Sequence, residues 1–225
     1  MRRTGVQVTI RAIVFPLIIL AIVMAAAGSV SYWQGWVYGA TNVLSLVANL
    51  LILRRRPDLA EERLAPGEGT KLWDKVYFAI TTPLYFIAIT IAALDIGRFS
   101  WEPALPLWAY LLACAMYAVG QGIHLWAKGT NRWFATVVRI QTDRGQEVCD
   151  RGPYRFVRHP GYVGGILFMI ATPLVLGSLL AVIPQGIAAG LLIVRTYLED
   201  RTLQKELPGY AEYAARVRYR LLPPW

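Results

Sequence analysis

Two polar clusters in the C-terminal third of the chain have the residue types and spacing to do chemistry. The first is Arg151-Gly152-Pro153-Tyr154-Arg155-Phe156-Val157-Arg158-His159-Pro160-Gly161-Tyr162-Val163-Gly164-Gly165. Gly152-Pro153 reads as a turn, and Pro160 suits the first position of a helix with His159 just before it. The unpaired N–H groups and positive dipole end of that helix would lie beside His159 and Tyr162, a place to hold a carboxylate or phosphate. Gly161, Gly164 and Gly165 remove side-chain bulk, so a neighbouring helix or a flat ligand can approach the backbone. In the second cluster, Arg195-Thr196-Tyr197-Leu198-Glu199-Asp200-Arg201-Thr202-Leu203, Arg195 and Glu199 share one helix face and Leu203 follows a turn later. Alone, the first cluster reads equally well as a basic juxtamembrane loop ahead of a glycine-packed helix. Its pairing with the second favours a site.

The elements that must position these clusters are apolar. The run from about 161 to 194 is uncharged and punctuated by Pro173, Gly177, Ser178 and Pro184. It is too long for one ordinary helix and reads as a tight hairpin of two short spans, which returns both clusters to one surface; one kinked crossing is the alternative. Further apolar segments at about 12–30, 33–53, 76–94 and 106–127 are each long enough to cross a hydrocarbon core of about 30 Å. Of the 225 residues, 56% are hydrophobic and 16% charged, against roughly a quarter charged in soluble domains. The expected fold is therefore all-α: a polytopic integral membrane helical bundle of five to six transmembrane helices with a C-terminal helical hairpin.

The net charge of +9 would suggest nucleic acid in a soluble protein, but its distribution points to a bilayer and no nucleic-acid partner. All 23 Lys and Arg except Arg98 fall at the N-terminus, in 54–75, in 128–160 or in the tail from 195. With six crossings these groups share one side, which the positive-inside rule makes cytoplasmic. Both termini and the two clusters are expected there, in a cell inner membrane. Arg2 and Arg3 precede an apolar run as in a signal peptide, but its length and the lack of a small-residue cleavage site favour a retained span. Cys114 lies inside a span and Cys149 in a loop, so free thiols are expected. Trp33, Trp36, Trp101 and Trp108 fall near outer span ends, where aromatic belts sit. The stretch 54–63 reads as a solvated surface connection, with a short interfacial helix as the alternative.

From Lys128 the pattern changes to a short extended or interfacial segment with a turn at Asp143-Arg144-Gly145 and no run long enough to span. Asn131 and Arg132 open this loop, which is expected to lie over a bound cofactor. His124, a turn after Gln121, reads first as a packing histidine. Asn42 and Asn49 read as bonds between neighbouring helices. No Walker loop, dinucleotide fingerprint or metal-ligand spacing occurs in the sequence, so no metal is expected and any cofactor must bind against the membrane helices.

The pattern Gly-Pro-Tyr-Arg-Phe-Val-Arg-His-Pro-Gly-Tyr-Val-Gly from Gly152, followed by Arg195, Glu199-Asp200, Tyr210-Ala211-Glu212-Tyr213 and Arg220-Leu221-Leu222-Pro223, resembles the isoprenylcysteine carboxyl methyltransferase family. The wider group includes membrane phospholipid N-methyltransferases. The resemblance covers about the last hundred residues and implies an enzyme that uses S-adenosylmethionine. It implies a cofactor site at Arg158, His159, Gly161, Tyr162, Gly165 and Glu199, and catalytic roles for Arg195, Glu199 and Asp200. The family usually has two adjacent Glu where this chain has Glu199-Asp200. Residues 1–127 would form a scaffold of four helices and 128–225 the cofactor-binding catalytic region. Glu199 can accept from the cofactor's ammonium or ribose, His159 can help hold its carboxylate, and Tyr162 can stack on or bond the adenine. The implied acceptor is lipophilic, a prenylcysteine-like carboxylate or another O, N or S nucleophile. The alternatives are a phospholipid N-methyltransferase, a nicotinamide-dependent membrane reductase and a non-enzymatic lipid-binding protein.

Overall fold

A computed structural model describes residues 2–56, 59, 62 and 69–222, with side chains from residue 13 onward. Among these residues no strand occurs, and seven α-helices have described bounds: α1 (Arg2–Ala27), α2 (Trp33–Arg55), α3 (Leu72–Ala92), α4 (Leu107–Thr130), α5 (Pro160–Val175), α6 (Val182–Glu206) and α7 (Tyr210–Arg216). The π-helical turn Ala93–Phe99 extends α3. The segments Trp33–Arg55 and Leu72–Phe99 are long and apolar enough to cross a membrane. The first four apolar segments fall on α1 to α4.

The run from 161 to 194 is a hairpin of two helices, α5 and α6, packed on each other. Gly177 turns the chain with φ +92, and any Cβ there would strike the Tyr110 hydroxyl at 2.5 Å. The Glu102 carboxylate then accepts from the Leu179 and Leu180 N–H groups at 2.8 and 3.0 Å, satisfying donors just ahead of α6. α6 continues past the apolar run to Glu206, so one rigid helix carries Arg195, Glu199 and Asp200.

A close backbone approach joins α4 to α5. A Cβ on Gly164 would lie 2.4 Å from the Gly120 carbonyl oxygen, and one on Gly120 would lie 2.7 Å from the Phe168 nitrogen. Small residues at such a crossing let backbones touch where lipid removes the hydrophobic drive between helices. The core is built from Ile19, Val23, Ile89, Tyr117 and Val175 among alanines. Large apolar residues such as Leu44, Trp108, Leu111, Leu112 and Ile183 face outward, a surface suited to lipid. Trp33, Trp36 and Trp101 are likewise exposed.

Two local expectations change. Leu59 and Glu62 are helical and buried, so this part of 54–63 is not a solvated connection; residues 57, 58, 60, 61 and 63 lie outside the described ones. Glu62 is buried because it pairs with Arg139 at 3.1 and 2.7 Å. Asn49 does bond a neighbouring helix, accepting from Lys128, but the Asn42 amide turns back to the Tyr38 carbonyl of its own helix at 2.8 Å. His124 packs as expected, with Nδ1 3.1 Å from the Gly161 oxygen and its ring edge-on to Phe134 and Phe168. Cys114 and Cys149 are free.

Candidate functional site

Pro160 starts α5 at its first position, where its missing N–H costs no helical bond. The His159 and Tyr162 rings then stack in parallel, 5.6 Å apart and 3° from coplanar. The Tyr162 hydroxyl donates to Glu199 Oε2, tying α5 to α6 across the open end of the hairpin. One turn earlier on α6, Arg195 places its guanidinium 5.2 Å from the centre of the Tyr162 ring. The same guanidinium is 4.9 Å from the Tyr77 ring and 5.0 Å from Phe78, both on α3.

Arg195 is held by Asp74, a fully buried carboxylate in the first turn of α3, through Nε at 2.7 Å. Its Nη2 donates to the Thr136 carbonyl at 2.8 Å, and Asp74 Oδ2 accepts from the Val138 N–H at 2.8 Å. One buried ion pair thus fastens α3, α6 and the 131–150 loop. That loop contains only a short 3-10 turn, Thr142–Arg144, and lies over the helix ends. Arg139 pins it to Glu62 and to Asp143 at 2.7 Å, and these hydrogen bonds push the guanidinium pKa up and the Asp143 pKa down.

A second ionic centre forms at Asp200. Its carboxylate is fully buried and accepts from Arg158 at 2.7 and 3.0 Å, Arg220 at 2.7 Å, Gln204 at 2.7 Å and Tyr210 at 3.2 Å, with His159 Nε2 at 3.3 Å. Burial opposes the charge, but hydrogen bonds from His159, Arg158 and Arg220 overcome it and hold the acid well below the usual carboxylate range. Burial and the Asp200 charge push the Tyr210 phenol up. Arg158 Nη1 donates to the Val217 and Arg218 carbonyls at 2.7 and 2.9 Å. The Arg158 and His159 N–H groups donate to the Tyr219 and Arg220 oxygens at 2.8 and 2.9 Å, strapping the tail onto the motif.

These elements enclose an open cleft. One wall is the loop, with Asn131, Trp133, Phe134 and Val138; the floor is Arg158, His159, Gly161, Tyr162 and Glu199; Leu203, Leu207, Tyr210 and Tyr213 close the far side. Five of the eight nominated residues therefore share the cleft. Arg158 reaches it with Nε and both terminal nitrogens already engaged. Arg195 lies behind Tyr162, Asp200 points to the tail, and Gly165 faces Leu192 of α6, 3.2 Å from where its Cβ would be. Asp74 and Glu62 were missed by sequence reasoning. The only signal for Asp74 is a lone acid at the head of an apolar run. Among the described residues no cluster of His, Cys, Asp and Glu could hold a metal ion.

The cleft offers an unsaturated carboxylate, an imidazole and aromatic faces, a set suited to a ligand that combines cationic, anionic and flat parts. No curated relative matches the chain. Residues 108–208, from the second residue of α4 to just past α6, match the family model of the phospholipid methyltransferases, a match that covers a little under half of the chain.

Proposed function

We propose that the protein moves a methyl group from S-adenosylmethionine to a lipophilic acceptor drawn from the bilayer. The observation that carries this reading is the placement of Arg195 between the cleft residue Tyr162 and the α3 rings of Tyr77 and Phe78. A polar ligand in the cleft and an apolar one within the bundle would meet there.

The residues present fit the cofactor. Glu199 gives one oxygen to Tyr162 and keeps the other for an ammonium or ribose hydroxyl. The His159 ring and the positive dipole end of α5 favour a carboxylate, and Phe134 offers a face for a purine. Arg158 and Asp200 act through the tail, since their polar atoms are already paired. When bound, the cofactor supplies an electrophilic methyl group. The protein aligns the acceptor and excludes water, a contribution that reaches roughly 7–11 kcal/mol in well-oriented reactions. No hydrogen bond among the described residues engages Arg195 Nη1, which suits it to orient an acceptor carboxylate. A phospholipid amine is the second reading, favoured by the family model. We further infer that α1 to α6 are six crossings, with both termini and the cleft cytoplasmic, because the basic groups then share one side.

The test is calorimetric titration of S-adenosylmethionine and its demethylated product into detergent-purified protein. Wild type is expected to bind saturably. Glu199→Gln removes a charge-assisted contact of about 1.5–3 kcal/mol, so its Kd should rise roughly 10- to 150-fold, and His159→Ala should also weaken binding. Folded wild-type protein that binds neither compound would refute the proposal.

A further inference from the structure

A second cavity, of about 330 Å³, lies inside the bundle. Its lining is mostly apolar, including Phe15, Phe78 and Phe86, with Tyr38, Asn42 and Gln185 among the polar exceptions. Phe15 of α1 and Thr82 of α3 are exposed at its rim, so it opens sideways between these helices. Most of its polar groups are satisfied locally: the Tyr38 and Tyr85 hydroxyls bond each other at 2.8 Å, and Thr81 and Thr172 bond carbonyls of their own helices at 2.8 and 2.7 Å.

Gln185 is different. Its side chain is 1% exposed, and Oε1 is one of two buried side-chain polar atoms without a hydrogen-bond partner among the described residues. No hydrogen bond among the described residues engages its Nε2 either. The other such atom, Asp95 Oδ2, lines neither cavity. An unmet polar group in an apolar, membrane-embedded chamber is costly, and such residues mark ligand paths. A hydrocarbon chain filling the chamber would leave the amide unmet. A chain bearing a hydroxyl or amide would satisfy it. Gln185 precedes Arg195 by ten residues on the same straight helix, which sets the two about 15 Å apart along its axis.

We propose that the chamber receives an amphipathic lipid with a second hydrogen-bonding group about 15 Å from the methylated atom, and that Gln185 recognises that group. The distance rests on the methyl-transfer reading, with the reacting atom at Arg195; the recognition by Gln185 stands without it.

The experiment measures Kd for dodecanoate and 12-hydroxydodecanoate by calorimetry on the full chain in detergent, with S-adenosylmethionine titrated separately. Wild type is expected to prefer the hydroxylated chain roughly three- to tenfold, the value of one hydrogen bond. Gln185→Leu should abolish the preference and leave S-adenosylmethionine affinity unchanged. Its fold should survive because it removes an unmet polar group; Gln185→Met provides the same comparison with a flexible side chain. Equal affinity for the two chains in wild type, binding of neither, or a preference that persists in the variants would overturn the proposal. A Gln185-dependent preference without S-adenosylmethionine binding would support the subsite while refuting methyl transfer.

Discussion

Asp200→Asn keeps the shape of the side chain and removes the charge on which Arg158 and Arg220 converge. The two arginines do not suffer equally. Arg220 has a side chain 43% exposed and can turn to water, whereas the Arg158 side chain is 5% exposed and stays buried beside the tail carbonyls. The cost is that of stranding one buried guanidinium, about 3–5 kcal/mol. For a chain of this size it corresponds to a fall in Tm of roughly 6–20 °C. The assay is thermal unfolding of the detergent-purified protein followed by circular dichroism. Adding Arg158→Met to Asp200→Asn removes the stranded charge and should recover at least about half of the loss. A single-variant drop below about 2 °C, or a double variant no better than the single one, would refute the reading of Asp200 as a structural hub.

Acid should act at the same centre: the folded-state pKa of Asp200 is depressed, so its stabilisation is present above about pH 4 and is lost as pH falls through the folded value. Wild-type Tm should therefore drop below about pH 4 more steeply than that of Asp200→Asn, and parallel curves would contradict the assignment. Arg195→Lys replaces a fork that spans Asp74 and Thr136 with a single ammonium. Methyl transfer should fall roughly tenfold or more while S-adenosylmethionine affinity holds, and calorimetry with a labelled-methyl assay separates the two. Gly164→Ala puts a methyl group 2.4 Å from the Gly120 oxygen, so α4 and α5 must part at a cost of about 1–3 kcal/mol, measurable as a lower Tm.

The helices were legible because long apolar runs announce themselves by length, and the hairpin because Pro173, Gly177 and Pro184 interrupt a run too long for one helix. The cleft residues of α5 were legible from the compact His159–Tyr162 spacing. Glu199 and Asp200 look like a pair in sequence, yet neighbours on a helix diverge by about 100°. Glu199 turns to the cleft and Asp200 to the tail. Asp74 stayed hidden because its partner lies 121 residues away and a single acid at a span end has many uses. Glu62 hid for the same reason, 77 residues from Arg139.

Two buried ionic centres on one helix also explain how Glu199 is aimed. Buried ion pairs contribute little net stability, because desolvation offsets their attraction, so their value here is geometric. Asp74 holds α6 at Arg195, and the Arg158–Arg220 clamp holds it at Asp200. A helix fixed at two positions five residues apart, on different faces, can neither rotate nor slide. Glu199 lies between them and inherits that orientation, with Tyr162 fixing the carboxylate itself. The loop wall and the tail strap end on the same two centres, so each centre helps to hold one side of the cleft. Substitutions at Asp74 or Asp200 should consequently weaken ligand binding in the cleft although neither residue lines it.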